Sequence, residues 1–281
     1  MPARDPDKIE RNPSGRNPKQ TLREIAAGQT PVEGRLSLVH VTSAGHASEI
    51  LEQEQLVTKK CEVFEKHLVY LFLCHASYRR KDWEKKSDSL SMFPVAFILD
   101  PSKIGHPHQI YPFDTGAAVN GIYRGAHADG VYLEDFALSQ DLDSTRRFIA
   151  WAFGSLNAYL DRKLKEEGQL SETYERWQFV PGQFIHIARQ AAPGQNEHPD
   201  GRAASIEVAY DKHLPLYGSV RCIIVPDAFL VNTKTKNQNS ILTEFLDKSG
   251  AAIKVYRWRP NDAPNWHMAE IERLCREELE N

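Results

Sequence analysis

A series of short apolar segments, rich in β-branched residues and separated by intervals of very different length, limits the folds available to this chain. Continuous apolar runs of about four to eight residues are typical of buried strands. These runs do not alternate strictly with helical patterns, as they would in a doubly wound parallel sheet. The sequence therefore predicts an α+β fold. The expected strands cover residues 36–41, 68–74, 93–99, 179–187, 205–210, 220–225 and 253–258.

Apolar residues at helical spacing predict the remaining elements. One helix is expected directly after the first strand, and three others at 144–160, 240–248 and 266–280. Asp143 or Ser144 is expected to cap the helix at 144–160. Residues 1–30 are rich in proline and charge, and we expect a flexible leader that includes a short docking helix around 22–26. Residues 31–281 are expected to form a single catalytic domain. Residues 190–202 are expected to be a mobile loop.

Composition limits the classes of function. The net charge of −3 argues against a protein that coats nucleic acid through bulk charge, although it permits a local basic groove. The four cysteines form no C-x-x-C pair, so neither a metal site nor a disulfide framework is indicated. The basic N-terminus has no apolar run after it, and no segment has the length of a membrane span. We therefore predict a cytoplasmic protein without a membrane partner.

The tripeptide His40-Val41-Thr42 lies where the first strand meets the following helix. Alternation along a strand places His40 and Thr42 on one face and Val41 in the core. Backbone N–H groups at the start of a helix are also available to a ligand there. The two side chains could thus bind one small polar molecule. The alternative is that His40 makes only a structural hydrogen bond.

Glu207 is the second candidate, in the strand 205–210. Alternation places Glu207 opposite the apolar side chains of Ile206 and Val208. A carboxylate in the middle of such a strand either lines a cleft or is solvated at a sheet edge. This segment alone leaves both interpretations open.

Taken together, these segments resemble the ADP-ribosyltransferase superfamily, and most of all the DarT-type transferases that modify bases in DNA. The similarity rests on the His-x-Thr strand with its helix, a second strand containing an aromatic residue, and a late strand with a glutamate. It covers residues 35–75 and 203–258. The resemblance implies an ADP-ribosyltransferase-like split β-sheet core with flanking helices.

The resemblance also implies roles for individual residues around NAD, the co-substrate. His40 would hydrogen-bond a ribose hydroxyl, and Thr42 would lie near the nicotinamide amide. Tyr70 or Tyr78 would stack on the nicotinamide ring. Glu207 would stabilise the oxocarbenium-like centre formed as nicotinamide leaves.

One departure concerns arginine. DarT-type enzymes use an arginine between the His-x-Thr and the next strand, but residues 42–68 contain none. Substitutes for pyrophosphate binding or target activation would be Arg79, Arg80 and Arg202. The segment 78–86 would contact phosphates or nucleic acid, or would be a solvated charged loop. Asp114 and Thr115 would position a substrate, or would simply form a turn.

The sequence thus predicts an enzyme that transfers ADP-ribose from NAD to a macromolecule, with nucleic acid favoured over protein as the acceptor. Such an activity would suit a toxin or defence effector, with an antitoxin or inhibitor as a partner. Two rival interpretations stay open: an RNA 2′-phosphotransferase-like enzyme and a non-catalytic nucleic-acid-binding module. A 2H phosphoesterase is less well supported, because it needs two His-x-Thr motifs and the chain contains one.

Overall fold

The computed structural model describes residues 5–12, 21–192, 199–231 and 236–280. Strands and helices are interspersed along the chain, which confirms the predicted α+β class. The strands are β1 (Leu38–Ser43), β2 (Gln55–Leu56), β3 (Lys59–Cys61), β4 (Lys66–Leu73), β5 (Pro94–Leu99), β6 (Gln109–Tyr111), β7 (Glu207–Tyr210), β8 (Leu214–Pro215), β9 (Val220–Pro226) and β10 (Ala252–Tyr256). The helices are α1 (Leu22–Ala27), α2 (Ala44–Gln53), α3 (Thr115–Val119), α4 (Leu142–Ala152), α5 (Leu156–Leu160), α6 (Glu167–Ser171), α7 (Phe179–Ala188), α8 (Asp227–Leu230), α9 (Ser240–Ser249) and α10 (Met268–Glu280).

The chain forms two compact units, each assembled from three separate stretches. The carboxylate unit consists of Met1–Gly34, Cys61–Glu65 and His106–Ala209. The cavity unit consists of Arg35–Lys60, Lys66–Gly105 and Tyr210–Asn281. The division into a leader and a single catalytic domain stays a prediction. Parts of the expected leader and mobile loop, residues 1–4, 13–20 and 193–198, lie outside the described residues.

The cavity unit is built on a sheet with the strand order β10-β9-β5-β1-β4. β1 runs antiparallel to both neighbours, so Leu38 lies opposite Leu99 of β5 and Leu73 of β4. Val39 and Val41 are buried in one core cluster with the apolar face of α10. Since side chains alternate along a strand, His40 and Thr42 lie on the other face of the sheet. The predicted core position of Val41 is therefore confirmed.

The carboxylate unit combines a short antiparallel strand pair with most of the helices. β6 pairs with β7, and Tyr111 lies opposite Glu207. Its helices pack around buried aromatic rings: the ring centroid of Phe148 lies 5.0 Å from that of Phe184 and 5.7 Å from that of Trp151. α1 packs on α4, as expected for the short docking helix.

The predicted strand over 179–187 is wrong, because this segment forms α7. Its buried side chains, among them Val180, Phe184 and Ile187, follow helical spacing, while Phe179 and His186 are exposed. A short and almost continuously apolar run fits a buried strand and a buried helix equally well. The aromatic contacts of Phe184 with α4 decide in favour of the helix.

The predicted helix over 144–160 also differs in its cap and its length. Asp141, rather than Asp143 or Ser144, caps α4 by accepting the Ser144 backbone N–H at 2.6 Å. α4 ends at Ala152, because the chain turns at Gly154 with a φ of +84°, a conformation that favours glycine. Ser155 then caps α5. Within the described residues, no helix is both long and apolar enough to cross a membrane.

Candidate functional site

A cavity of about 370 Å³ lies in the cavity unit, beside β1 and β4 and along α2. This volume falls within the range of about 300–1,000 Å³ that is typical of small-molecule sites. Apolar side chains of β4 and of the segment after α2, including Phe72 and Leu56, form part of the wall. The polar and aromatic lining residues are His40, Thr42, His46, Glu49, Gln53, Lys59, Tyr70, Tyr78 and Arg80.

His40 is held in one orientation by the neighbouring strand. Its Nδ1 lies 2.9 Å from the backbone carbonyl oxygen of Tyr70. Because a carbonyl oxygen only accepts, Nδ1 carries the proton and donates. Burial lowers the pKa of His40 below 6.5, and the charge of Lys59 lowers it further, so the ring is neutral at pH 7. The Nε2 atom of this tautomer is a hydrogen-bond acceptor.

Thr42 and the start of α2 border the same cavity. Thr42 is 8% exposed, which leaves only a small part of the residue accessible. Ser43 precedes α2, and its hydroxyl lies 3.2 Å from His46 Nδ1 instead of capping the helix through its side chain. His46, Glu49 and Gln53 follow at helical spacing, so one face of α2 lines the cavity.

The segment after β4 brings an aromatic and a cationic side chain to the cavity. Tyr78 is 39% exposed, and its ring meets Trp83 edge-on at 5.8 Å. The Arg80 guanidinium donates to both carboxylate oxygens of Asp82, at 2.9 and 2.5 Å, and this pairing lowers the pKa of Asp82. Arg79 lies outside the cavity lining and donates to the backbone oxygens of Ala76 and Tyr78.

Glu207 lies in the carboxylate unit and is 4% exposed, so the solvated-edge alternative does not describe it. Thr115 binds both of its carboxylate oxygens. The Thr115 hydroxyl donates to Oε1 at 2.6 Å, and the Thr115 backbone N–H donates to Oε2 at 3.3 Å. Burial raises the pKa of Glu207 well above 4.5, and the negative charge of Asp114 raises it further.

Asp114 and Arg202 form a second polar group in the same unit. The Asp114 carboxylate caps α3 by accepting the Ala117 N–H at 2.8 Å. Arg202 Nη1 lies 3.7 Å from Asp114, while Arg202 Nη2 lies 2.7 Å from Asp200. Burial raises the pKa of Asp114. The charge of Arg202 is therefore shared between two carboxylates of its own unit.

Five of the predicted site residues thus line one cavity: His40, Thr42, Tyr70, Tyr78 and Arg80. Glu207, Asp114 and Arg202 belong to the carboxylate unit. The roles given to all of these residues stay predictions. The polar face of α2 and Lys59 were not among the predicted site residues. The 46, 49, 53 spacing in the predicted helix would have indicated such a face.

Comparison with known proteins gives similarity in structure alone. No family model and no curated protein matches the chain. Among solved structures, the chain is similar to DarT from Thermus sp. 2.9 in complex with NAD⁺, at 10% identity and a TM-score of 0.39, covering 81% of this chain and 98% of that one. The same protein in complex with ADP-ribosylated ssDNA gives 10% identity, a TM-score of 0.38, and 82% and 98% coverage. The complex of the same protein with carba-NAD⁺ gives 11% identity and a TM-score of 0.35, covering 79% of this chain and 95% of that one.

Proposed function

We propose that this protein is an ADP-ribosyltransferase that binds NAD in the cavity beside β1 and transfers ADP-ribose to a macromolecule. The observation that carries the proposal is the fixed tautomer of His40 at the cavity wall. A neutral imidazole with an acceptor Nε2 suits a ribose hydroxyl, whose O–H can donate to that nitrogen. A protonated imidazole would offer only donors.

The other lining residues suit the rest of a dinucleotide. Tyr70 and Tyr78 supply aromatic faces for a flat ring such as nicotinamide. Thr42 supplies a hydroxyl for a carboxamide. Lys59 and Arg80 supply positive charge for a pyrophosphate, with Arg80 already oriented by Asp82.

Glu207 is the carboxylate that we propose for the chemical step. The bond from the ribose anomeric carbon to the nicotinamide nitrogen breaks, and the nitrogen keeps the electron pair. The acceptor then forms a bond to the same carbon and loses a proton. A carboxylate stabilises the positive charge that develops on the ribose. The two hydrogen bonds from Thr115 support this assignment, because they fix the Glu207 side chain.

For the acceptor we propose single-stranded nucleic acid. The segment 78–86 combines the exposed ring of Tyr78 with exposed lysines, a combination that stacks bases and binds phosphates. Trp266 is 59% exposed, and Lys86 Nζ lies 5.5 Å from the centre of its ring.

We also propose that the protein acts in the cytoplasm as a toxin or defence effector, with an antitoxin as its partner. A growth assay with induced expression tests this role.

The decisive experiment is incubation of the purified protein with labelled NAD and separate pools of DNA, RNA and protein. Label should pass to the nucleic acid pool, with release of nicotinamide. Glu207→Gln should abolish transfer while leaving NAD binding intact, because Glu207 does not line the cavity and the amide oxygen can still accept from the Thr115 hydroxyl. The matched control is Glu172→Gln at an exposed glutamate of the same unit. Absence of both transfer and nicotinamide release would overturn the proposal.

A second candidate function is a nucleic-acid-binding module without catalysis. The exposed residues Lys81, Lys85 and Lys86, with the contact between Lys86 and Trp266, favour it independently of the cavity, because none of them lines it. The two functions differ in their dependence on Glu207. If Glu207→Gln keeps the full cellular effect of the wild type, the binding module is correct and the transferase is not.

A further inference from the structure

The segment that follows β4 carries Tyr78 and Arg80 to the cavity, and its path must be fixed for them to meet a ligand. The chain leaves the sheet at Cys74, whose φ is +58°, and the Cys74 backbone N–H donates to the Ser37 carbonyl at 2.9 Å. The three residues between Cys74 and Tyr78 are buried. This segment therefore turns away from the sheet inside the unit.

Glu272 of α10 holds this turn with both oxygens of one carboxylate. Oε1 lies 2.5 Å from His75 Nδ1, and Oε2 accepts the Ala76 backbone N–H at 2.6 Å. His75 is only 1% exposed and the Glu272 side chain 26%, so the contact is shielded from water on the His75 side. α10 itself is anchored because Ile271 and Cys275, on either side of Glu272, are buried in the core.

The backbone of Ala76 makes a second hydrogen bond, through its carbonyl group. Its carbonyl oxygen accepts a hydrogen bond from Arg79 Nη1 at 3.1 Å. Arg79 lies between Tyr78 and Arg80, the two residues that line the cavity. A continuous chain of contacts therefore runs from Glu272 through Ala76 to the segment that carries both side chains.

We propose that Glu272 is a positioning residue for the NAD cavity, acting through the 75–80 segment on Tyr78 and Arg80. This inference rests on the proposed function, because it takes NAD to be the ligand of the cavity. Glu272 is absent from the cavity lining, so it would act without touching the nucleotide. Its effect should appear in the affinity for NAD and not in the chemical step.

Glu272→Gln tests the role with minimal change of shape. Glutamine offers one acceptor oxygen and one NH₂ donor, so it cannot accept from both His75 and Ala76 as the carboxylate does. We expect the KM for NAD in nicotinamide release to rise about tenfold, with kcat changed less than about twofold. Glu270→Gln is the control, because Glu270 lies on the same helix but pairs with the exposed Arg273.

A double-mutant cycle separates positioning from general loss of structure. In a Tyr78→Ala/Arg80→Ala background, Glu272→Gln should add little to the KM, because the side chains it positions are gone. Full additivity would overturn the inference, as would an unchanged KM in Glu272→Gln alone.

If Glu272→Gln does not fold, Glu272→Asp is the second variant. It keeps the charge but places the carboxylate farther from His75 and Ala76, and its KM for NAD should rise about threefold. The proposed function fails separately, if the wild type itself does not bind NAD.

Discussion

At the scale of single residues, His40 shows how a neighbouring strand fixes the chemistry of a side chain. The Tyr70 carbonyl determines which ring nitrogen carries the proton, and burial keeps the ring neutral. The role proposed for His40 thus depends on a backbone atom, so it should not depend on which side chain stands at position 70. Substitution of Tyr70 should affect stacking on the ligand without disturbing the tautomer of His40.

The first prediction concerns pH. Because the pKa of His40 is lowered below 6.5, NAD affinity should stay level from about pH 8 down to 6.5 and fall at more acidic pH, as the ring becomes charged and its acceptor atom is protonated. Calorimetric titration with NAD across this range is the measurement. His106→Gln, at an exposed histidine, should leave the profile unchanged. Affinity that increases on acidification would contradict the role given to His40.

The second prediction concerns Glu207 and stability. Its pKa in the folded protein is raised above 4.5, so the folded state keeps a proton that the unfolded chain has released. The free energy of unfolding therefore falls as pH rises from 4.5 towards the folded pKa, by up to about 1.4 kcal/mol per pH unit. Glu207→Gln should remove this pH dependence and be more stable than wild type at pH 7. Urea unfolding at pH 5 and pH 7 tests it, and a smaller stability of the variant at pH 7 would refute it.

At the scale of elements, α7 contains two phenylalanines in opposite environments. Phe184 is fully buried against Phe148 and Trp151, whereas Phe179 is 60% exposed. We expect Phe184→Ala to lower the free energy of unfolding by about 3–5 kcal/mol, because it removes buried apolar surface and leaves a void. Phe179→Ala, the matched control, should cost less than about 0.5 kcal/mol. Equal effects of the two substitutions in thermal denaturation would contradict this packing of α7.

The elements also show what the sequence could predict. The strands β1, β4, β5, β9 and β10 were expected near their observed positions, because each is a bounded apolar run. Alternation along β1 correctly placed Val41 in the core. The segment of α7 was misassigned because its apolar run carries no distinguishing period, and only contacts with α4 determine its form.

The site could be predicted only in part, for a related reason. Strand alternation put His40 and Thr42 on one face, but the ring orientation of His40 depends on Tyr70, 30 residues away in sequence. Thr115 binds Glu207 across 92 residues, and Glu272 binds Ala76 across 196. Such long-range contacts follow from tertiary structure, and no local pattern in the sequence indicates them.

At the scale of the whole molecule, charge is distributed unevenly. The chain carries a net charge of −3, yet Lys81, Lys85 and Lys86 are exposed within a few residues of one another. Long-range attraction to nucleic acid is therefore weak, and the proposed binding would depend on a few local cations.

A prediction at this scale follows from counterion release. Lys85→Glu/Lys86→Glu should weaken binding of a single-stranded oligonucleotide at least about tenfold, and should reduce the slope of its salt dependence by about 0.7 for each phosphate that is no longer neutralised. Affinity for NAD should stay the same, because neither lysine lines the cavity. Fluorescence anisotropy at several salt concentrations provides the measurement. The matched control is Lys103→Glu/Lys212→Glu, which reverses two exposed charges elsewhere in the same unit and should have little effect. Equal weakening by both pairs would show that binding responds to net charge and not to residues 85 and 86.

The interleaved make-up of the two units has a consequence for synthesis on the ribosome. The sheet of the cavity unit places β5 beside β9, although about 120 residues, most of them from the carboxylate unit, are translated between them. The sheet that supports the cavity wall is therefore incomplete until β9 and β10 have left the ribosomal tunnel. The core behind it is complete only when α10 has also left the tunnel. A nascent or prematurely truncated chain would lack Glu272 and the core that anchors β1. Under the proposed function, the order of translation would withhold NAD binding until α10 has been synthesised.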